Sequence, residues 1–263
     1  MSYETDYADW QTRRLAALKA PDGWLNIVAR DWFSEGTAKV GAAADNDIVL
    51  PTGPDHVGTI TQDASGGVTY APADGGAPIK LELSKYKPPR FTAGNLLLEI
   101  TTLNGENALR VRDTASKAAD DFAPINYFPL DPTWRILADW IALDAPKSLS
   151  ITTSKAIPTE VEATHMAVFI RDGVTYELLA THGTRESPQF VVRDLTAKDE
   201  TYGACRFVFG ENVTDSTIVL DFNKAINPPC AYTEFAVCPL PPAENVLPIR
   251  IEAGEKKPAH SYS

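Results

Sequence analysis

The chain has 263 residues, 44% of them hydrophobic and 22% charged, which is the balance of a soluble globular protein with ample core rather than a disordered one. Its formal charge of −11 excludes nucleic acid as a partner, because phosphate binding needs clustered Lys and Arg. No run of about 18 apolar residues is present, so no membrane span is expected.

The acidic start Met1-Ser-Tyr-Glu-Thr-Asp lacks the apolar stretch of a signal peptide. The odd cysteine set, Cys205, Cys230 and Cys238, fits reduced thiols better than a disulfide framework. A cytoplasmic location follows as the expectation.

Residues 3–19 read as an amphipathic helix, with Tyr3, Tyr7, Trp10, Arg14 and Leu18 at three- and four-residue steps and Ala20-Pro21-Asp22-Gly23 as its stop. Almost everything beyond reads as β. Trp24–Val28, Ala38–Val40 and Asp47–Leu50 are short strands, and Gly66-Gly67 and Gly75-Gly76 punctuate hairpins. Alternating Leu96, Leu98 and Ile100, then Asn104-Gly105, then Leu109 and Val111 predict a hairpin with a type I′ turn. A second hairpin turns at Asp172-Gly173 between Met166–Ile170 and Val174–Leu179. Later strands are Phe190–Val192, Arg206–Phe209 and Thr217–Phe222. The tryptophans Trp24, Trp32, Trp134 and Trp140 are expected mainly in the core.

The expected fold is all-β, mainly antiparallel, with an N-terminal helix and two packed β-sandwich or barrel units. The divisions are a helix over 1–20, a small β-sandwich unit over 21–115, a larger β unit over 116–255 and a flexible tail over 256–263. The larger unit carries a long loop, Asn223 to Asn245, stiffened by Pro228, Pro229, Pro239, Pro241 and Pro242. Long loops without secondary structure are often functional. This one reads as a cap over a site.

Chemistry is sought at the strand ends beneath that cap. Asp221 and Asn223 share one face of their strand. If the neighbouring strands pair, Arg193 and Arg206 converge on them. In the enzymatic reading Asp221, Arg193 and Arg206 are catalytic: Asp221 is the base or orienter, and the arginines hold an anionic group of the substrate. Asp194, Tyr202, Asn223, Asn227, Cys230 and Tyr232 then bind ligand. The commoner role of such a set is structural, as an internal Arg–Asp pair that pins a loop.

No metal is expected. His56, His165, His182 and His260 lack paired spacing, and Cys230 and Cys238 stand too far apart for the usual zinc pattern. No cofactor motif occurs: there is no G-x-S-x-G, G-x4-G-K-[ST] or G-x-G-x-x-G. A cysteine nucleophile is disfavoured against a small buried apolar plug.

The segments Arg193–Arg206, Val219–Tyr232 and Cys238–Pro248 resemble the bacterial family called domain of unknown function 1684. Asp22-Gly-Trp-Leu25, Gly41–Leu50 and Tyr127-Phe-Pro-Leu-Asp-Pro132 also match it. Cys205 stands where that family usually has Gly, which argues against a catalytic Cys205. The resemblance implies no settled activity.

Lys39-Val-Gly41 through Pro51, with His56, also resembles the forkhead-associated sandwich. Ala42 and Gly53 stand where that module has its phosphate-binding Arg and its Ser. The expected function is small-molecule binding at a site under the 223–247 loop, either as a binding protein alone or as a hydrolase or lyase acting on an anionic small substrate. The alternative is a non-enzymatic interaction module acting through the N-terminal sandwich.

Overall fold

A computed structural model describes residues 2–84 and 87–259, so His260 lies outside the described residues. The chain divides into two units, Arg14–Phe122 and the pair of segments Met1–Arg13 and Ala123–Ser263. Helix α1 spans Tyr3–Lys19, with Glu4 and Asp6 in its first turn and Lys19 in its last, complementing the helix dipole. Tyr7 is buried and stacks on Trp10 at 5.6 Å, and both rings meet Tyr127 edge-on.

In the unit Arg14–Phe122, Trp24–Asn26, the first three residues of the expected strand Trp24–Val28, form a single 3-10 turn, and the strand begins at Ile27. The reason is local: Asn26 Nδ2 donates to the carbonyls of Ala20 and Pro21, wrapping the backbone on itself. Nine strands follow: β1 Ile27–Phe33, β2 Gly36–Gly41, β3 Ile48–Val49, β4 Gly58–Gln62, β5 Val68–Pro72, β6 Ile79–Leu81, β7 Arg90–Ala93, β8 Leu96–Leu103 and β9 Glu106–Asp113. They make one sheet in the order β1-β9-β8-β7 and another in the order β3-β2-β4-β5-β6. Val40, Ile60 and Val68 of one sheet pack with Leu98, Ile100, Leu109 and Val111 of the other, forming a sandwich core. The β8–β9 turn has φ of 51° at Asn104 and 84° at Gly105, the positive pair a type I′ turn requires.

Outside that core Glu99 is fully buried. Its carboxylate is ringed by Arg110, by Arg90 Nε at 2.9 Å and by Arg112 Nη1 at 2.9 Å. Trp24 lies across the Arg110 guanidinium at 4.8 Å.

The other unit holds one sheet of seven strands: β10 Arg135–Thr152, β11 Pro158–Arg171, β12 Val174–Leu179, β13 His182–Gly183, β14 Pro188–Val192, β15 Arg206–Glu211 and β16 Thr217–Asp221. Their order is β12-β11-β10-β16-β15-β14-β13. None of the three sheets closes into a barrel. The second layer of this unit is not a sheet either. Ala138, Phe169, Phe190, Val208, Ile218 and Leu220 of the sheet pack against Phe222, Ala225, Leu247, Ile251 and Ala253 of the chain that follows it. Prolines without N–H groups punctuate that chain, so it covers the sheet as 3-10 turns rather than strands.

Strand β10 runs 18 residues and had no counterpart in the expected elements. A register shift against β11 between Ala142 and Lys147 breaks its alternation and hides its period. Among the described residues no helix is long and apolar enough to cross a membrane.

Candidate functional site

Asp221 ends β16 and is 2% exposed. Tyr3 Oη lies 2.9 and 3.0 Å from its two carboxylate oxygens, and the Asn223 backbone N and Nδ2 each donate to Oδ1 at 3.2 Å. Lys224 Nζ stands 3.7 Å from Oδ2. Burial raises the Asp221 pKa above the usual carboxylate value, against the lowering pull of Tyr3, Asn223 and Lys224. Asn223 in turn grips Asp131 from both sides: it donates Nδ2 to the Asp131 carbonyl at 2.9 Å and accepts from the Asp131 N–H at 3.1 Å.

Arg206 begins β15 and is 1% exposed. Its Nη2 donates to Asp194 Oδ1 at 3.1 Å and to Ile251 O at 3.0 Å, and its Nη1 donates to Ala253 O. Burial lowers its pKa, and the Asp194 carboxylate opposes the shift. Asp194 also caps the turn Leu195–Lys198 through Thr196 and accepts from Ile251 N at 2.6 Å. Arg206 therefore sits with Asp194, and Asp221 with Asn223 and Tyr3, as two separate hydrogen-bonded groups. Arg193 is exposed; its backbone pairs with Asn245 and Leu247, forming a parallel bridge to Val246.

A third group joins Asn227, Tyr232 and Glu255. Glu255 has no exposed surface, and its Oε2 accepts from Asn227 N at 2.6 Å and from Tyr232 Oη at 2.9 Å. Asn227 Nδ2 reaches Lys256 O at 2.8 Å, and Lys257 N donates to Glu200 O, so the chain is held through the start of the polar tail. Glu255 was not among the expected site residues. The signal for it was Gly254, which has φ of +81° and stands where a Cβ would meet Phe222 O and Ala225 O at 2.7 Å. Only glycine turns the chain there.

Cys230 and Tyr202 belong to a buried thiol group with Cys205 and Cys238. Tyr202 Oη donates to Cys230 O at 3.3 Å, and its pKa is raised by burial and then by the surrounding thiols. Among the described residues no group of three or more His, Cys, Asp or Glu is arranged to hold a metal.

An open cleft of about 560 Å³ lies in the same unit. Trp134, Ile249 and Pro129 form its apolar lining, with Asp131, Arg171, Asp172, Arg250 and Glu252 around them. Arg171 lies 4.0 Å over the Trp134 ring and donates Nη1 to Thr133 O at 2.8 Å. Arg250 is matched by Asp199, Glu200 and Glu252. The Thr133 hydroxyl and then its N–H hold the Asp131 pKa below its ordinary value. Trp134, the Tyr127–Pro132 motif and the Asp172-Gly173 turn were visible in the sequence, but not as one site, because these side chains come from the turn before β10, the β11–β12 hairpin and the C-terminal chain.

In the N-terminal sandwich, Lys39, Asp45, Asn46 and His56 line a smaller cavity of about 330 Å³. There Asn46 Oδ1 stands 3.4 Å from His56 Nδ1, and Asp45 lies 4.0 Å from Nε2.

The model of the family described as proteins of unknown function, DUF1684, matches residues 120–256, just over half the chain. The chain belongs to the DUF1684 family. The DUF1684 match thus takes in Asp194, Arg206, Asp221, the proline chain and Glu255, while Asp22–Leu25 and Gly41–Leu50 lie before it. No curated protein matches the chain. Among solved structures, an uncharacterized protein of Haloarcula marismortui determined by solution NMR is 31% identical; the match covers 53% of this chain and 80% of that one, with a TM-score of 0.44.

Proposed function

We propose that this DUF1684 chain binds a small amphoteric molecule, one carrying both a cationic and an anionic group, in the cleft built on Trp134. The observation that carries the reading is the lining itself. Carboxylates of Asp131, Asp172 and Glu252 and the guanidinium of Arg171 surround an apolar floor in a space of about 560 Å³. That volume is in the range of small-molecule sites. The residues expected from sequence act one layer behind: Asp221 orients Asn223, and Asn223 holds the Asp131 segment that forms the cleft wall. Asp194 and Arg206 pin the chain that carries Ile249 and Arg250.

A hydrolase or lyase using Asp221 with Arg193 and Arg206 on an anionic substrate has one observation in its favour. Burial raises the Asp221 pKa, a common mark of catalytic carboxylates. Against it, both Asp221 oxygens face Tyr3, and Arg206 is committed to Asp194 and two carbonyls.

The test is native mass spectrometry of the purified chain for a copurified small molecule, followed by thermal shifts with a panel of amino acids, amines and carboxylates. A compound that stabilises the wild type and fails to stabilise Arg171→Ala supports the reading. A panel without any shift, or equal shifts in both proteins, overturns it.

A further inference from the structure

The prolines of the capping chain bring its two cysteines together. Cys230 lies in the turn Pro229–Ala231, where Tyr232 N and Thr233 N both return to Pro229 O. Cys238 is fixed from the other side, donating its N–H to Ser154 Oγ at 3.1 Å and accepting from Ser154 N at 2.8 Å. The result is a contact across eight positions of chain: the Cys230 N–H donates to Cys238 Sγ at 3.3 Å. The two thiols also act on each other's ionisation, the Cys238 thiol lowering the Cys230 pKa and the Cys230 thiol raising that of Cys238.

We propose that Cys230 and Cys238 form an oxidisable dithiol, a modification site that hydrogen peroxide or an organic hydroperoxide converts to an intramolecular disulfide. The Cys230 thiolate attacks the peroxide O–O bond, forming Cys230 sulfenic acid and expelling hydroxide or alkoxide, which takes up the proton the Cys230 thiol gave up on ionising and leaves as water or the alcohol. The Cys238 sulfur then attacks the Cys230 sulfur. The departing hydroxide takes the Cys238 proton and leaves as a second water. Two thiols are oxidised, one peroxide is reduced, and no other reactant is needed.

The neighbouring Cys238 thiol lowers the Cys230 pKa to about 7, which gives Cys230 the part of nucleophile at neutral pH. Cys205 is the odd thiol out: its Sγ faces Pro239 O at 3.6 Å, and burial pushes its pKa well up. The titratable groups facing Cys230 are Cys238, Cys205 and Tyr202, and the Arg193 charge acts on Cys205.

The experiment is to expose the native full chain to hydrogen peroxide, denature it, alkylate it with iodoacetamide and map the peptides. Reduced protein should carry three alkylated cysteines. Oxidised protein should carry one, at Cys205, together with a linked Cys230–Cys238 peptide, and dithiothreitol should restore all three. Cys205→Ser should leave the linkage intact. In Cys238→Ser the sulfenic acid on Cys230 should persist and be trapped by dimedone. Three unmodified thiols after peroxide, or a linkage through Cys205, overturns the proposal in the wild-type protein, whether or not the variants fold.

Discussion

Tyr3 and Asp221, 218 positions apart, meet through a hydroxyl that lies within 3.0 Å of both carboxylate oxygens. The contact joins the first turn of α1 to the end of β16, and Asp221 shifts the Tyr3 pKa upward, second only to burial. Tyr3→Phe removes a hydrogen bond to a charged acceptor and should cost about 2 kcal/mol in urea denaturation. The Asn223–Asp131 pairing should survive in its hydrogen-exchange protection.

The same carboxylate sets a pH dependence. Burial holds the folded pKa of Asp221 above its unfolded value of about 3.9. The protonated acid is therefore favoured by folding; this contribution is complete below the unfolded pKa and is lost as pH rises through the folded one. Wild type should lose stability relative to Asp221→Asn across that window. Urea melts of both proteins from pH 3.5 upward check it, and a constant difference would count against the assignment.

Glu99 has the opposite sign. Burial pushes its pKa up, but the guanidiniums of Arg110 and Arg112 outweigh burial and hold it below the ordinary value. Its contribution is present above an unfolded pKa of about 4.3 and is lost as pH falls through the folded value. Glu99→Gln leaves clustered arginines without their partner and should cost about 3–5 kcal/mol at pH 7. The difference should shrink under acid conditions. Trp24 fluorescence reports it, because that ring rests on Arg110.

Arg206 and Asp194 give a paired test of the anchor role. Arg206→Met alone strands a buried carboxylate and should destabilise by about 3–5 kcal/mol. Arg206→Met with Asp194→Leu should cost less than the sum of the single changes, because no buried charge is then left alone. Calorimetric melting of the singles and the double measures the coupling.

Gly254→Ala should destabilise by about 1–3 kcal/mol, since φ of +81° and two backbone oxygens at 2.7 Å leave no room for a Cβ. Loss of Tyr232–Glu255 contact, seen as faster exchange at Asn227 N, should accompany it.

The local order of this protein is written in short-range pattern. Three- and four-residue spacing marks α1, and Asn104-Gly105 and Asp172-Gly173 mark their hairpins, because backbone dihedrals respond to immediate neighbours. Asp221, Asn223, Asp194, Arg206 and Asn227 were legible as polar anchors for the same reason: each stands beside a strand end or a proline turn. Which anchors share a network was decided by the tertiary structure alone. Strand order places Arg206 against Asp194 rather than Asp221, and α1 delivers Tyr3 to Asp221 from the far end of the chain. Trp134, Arg171 and Arg250 become one cleft only because the C-terminal chain runs back over the seven-stranded sheet. Partners so distant in sequence are chosen by the burial of the whole unit, and no local spacing encodes that choice.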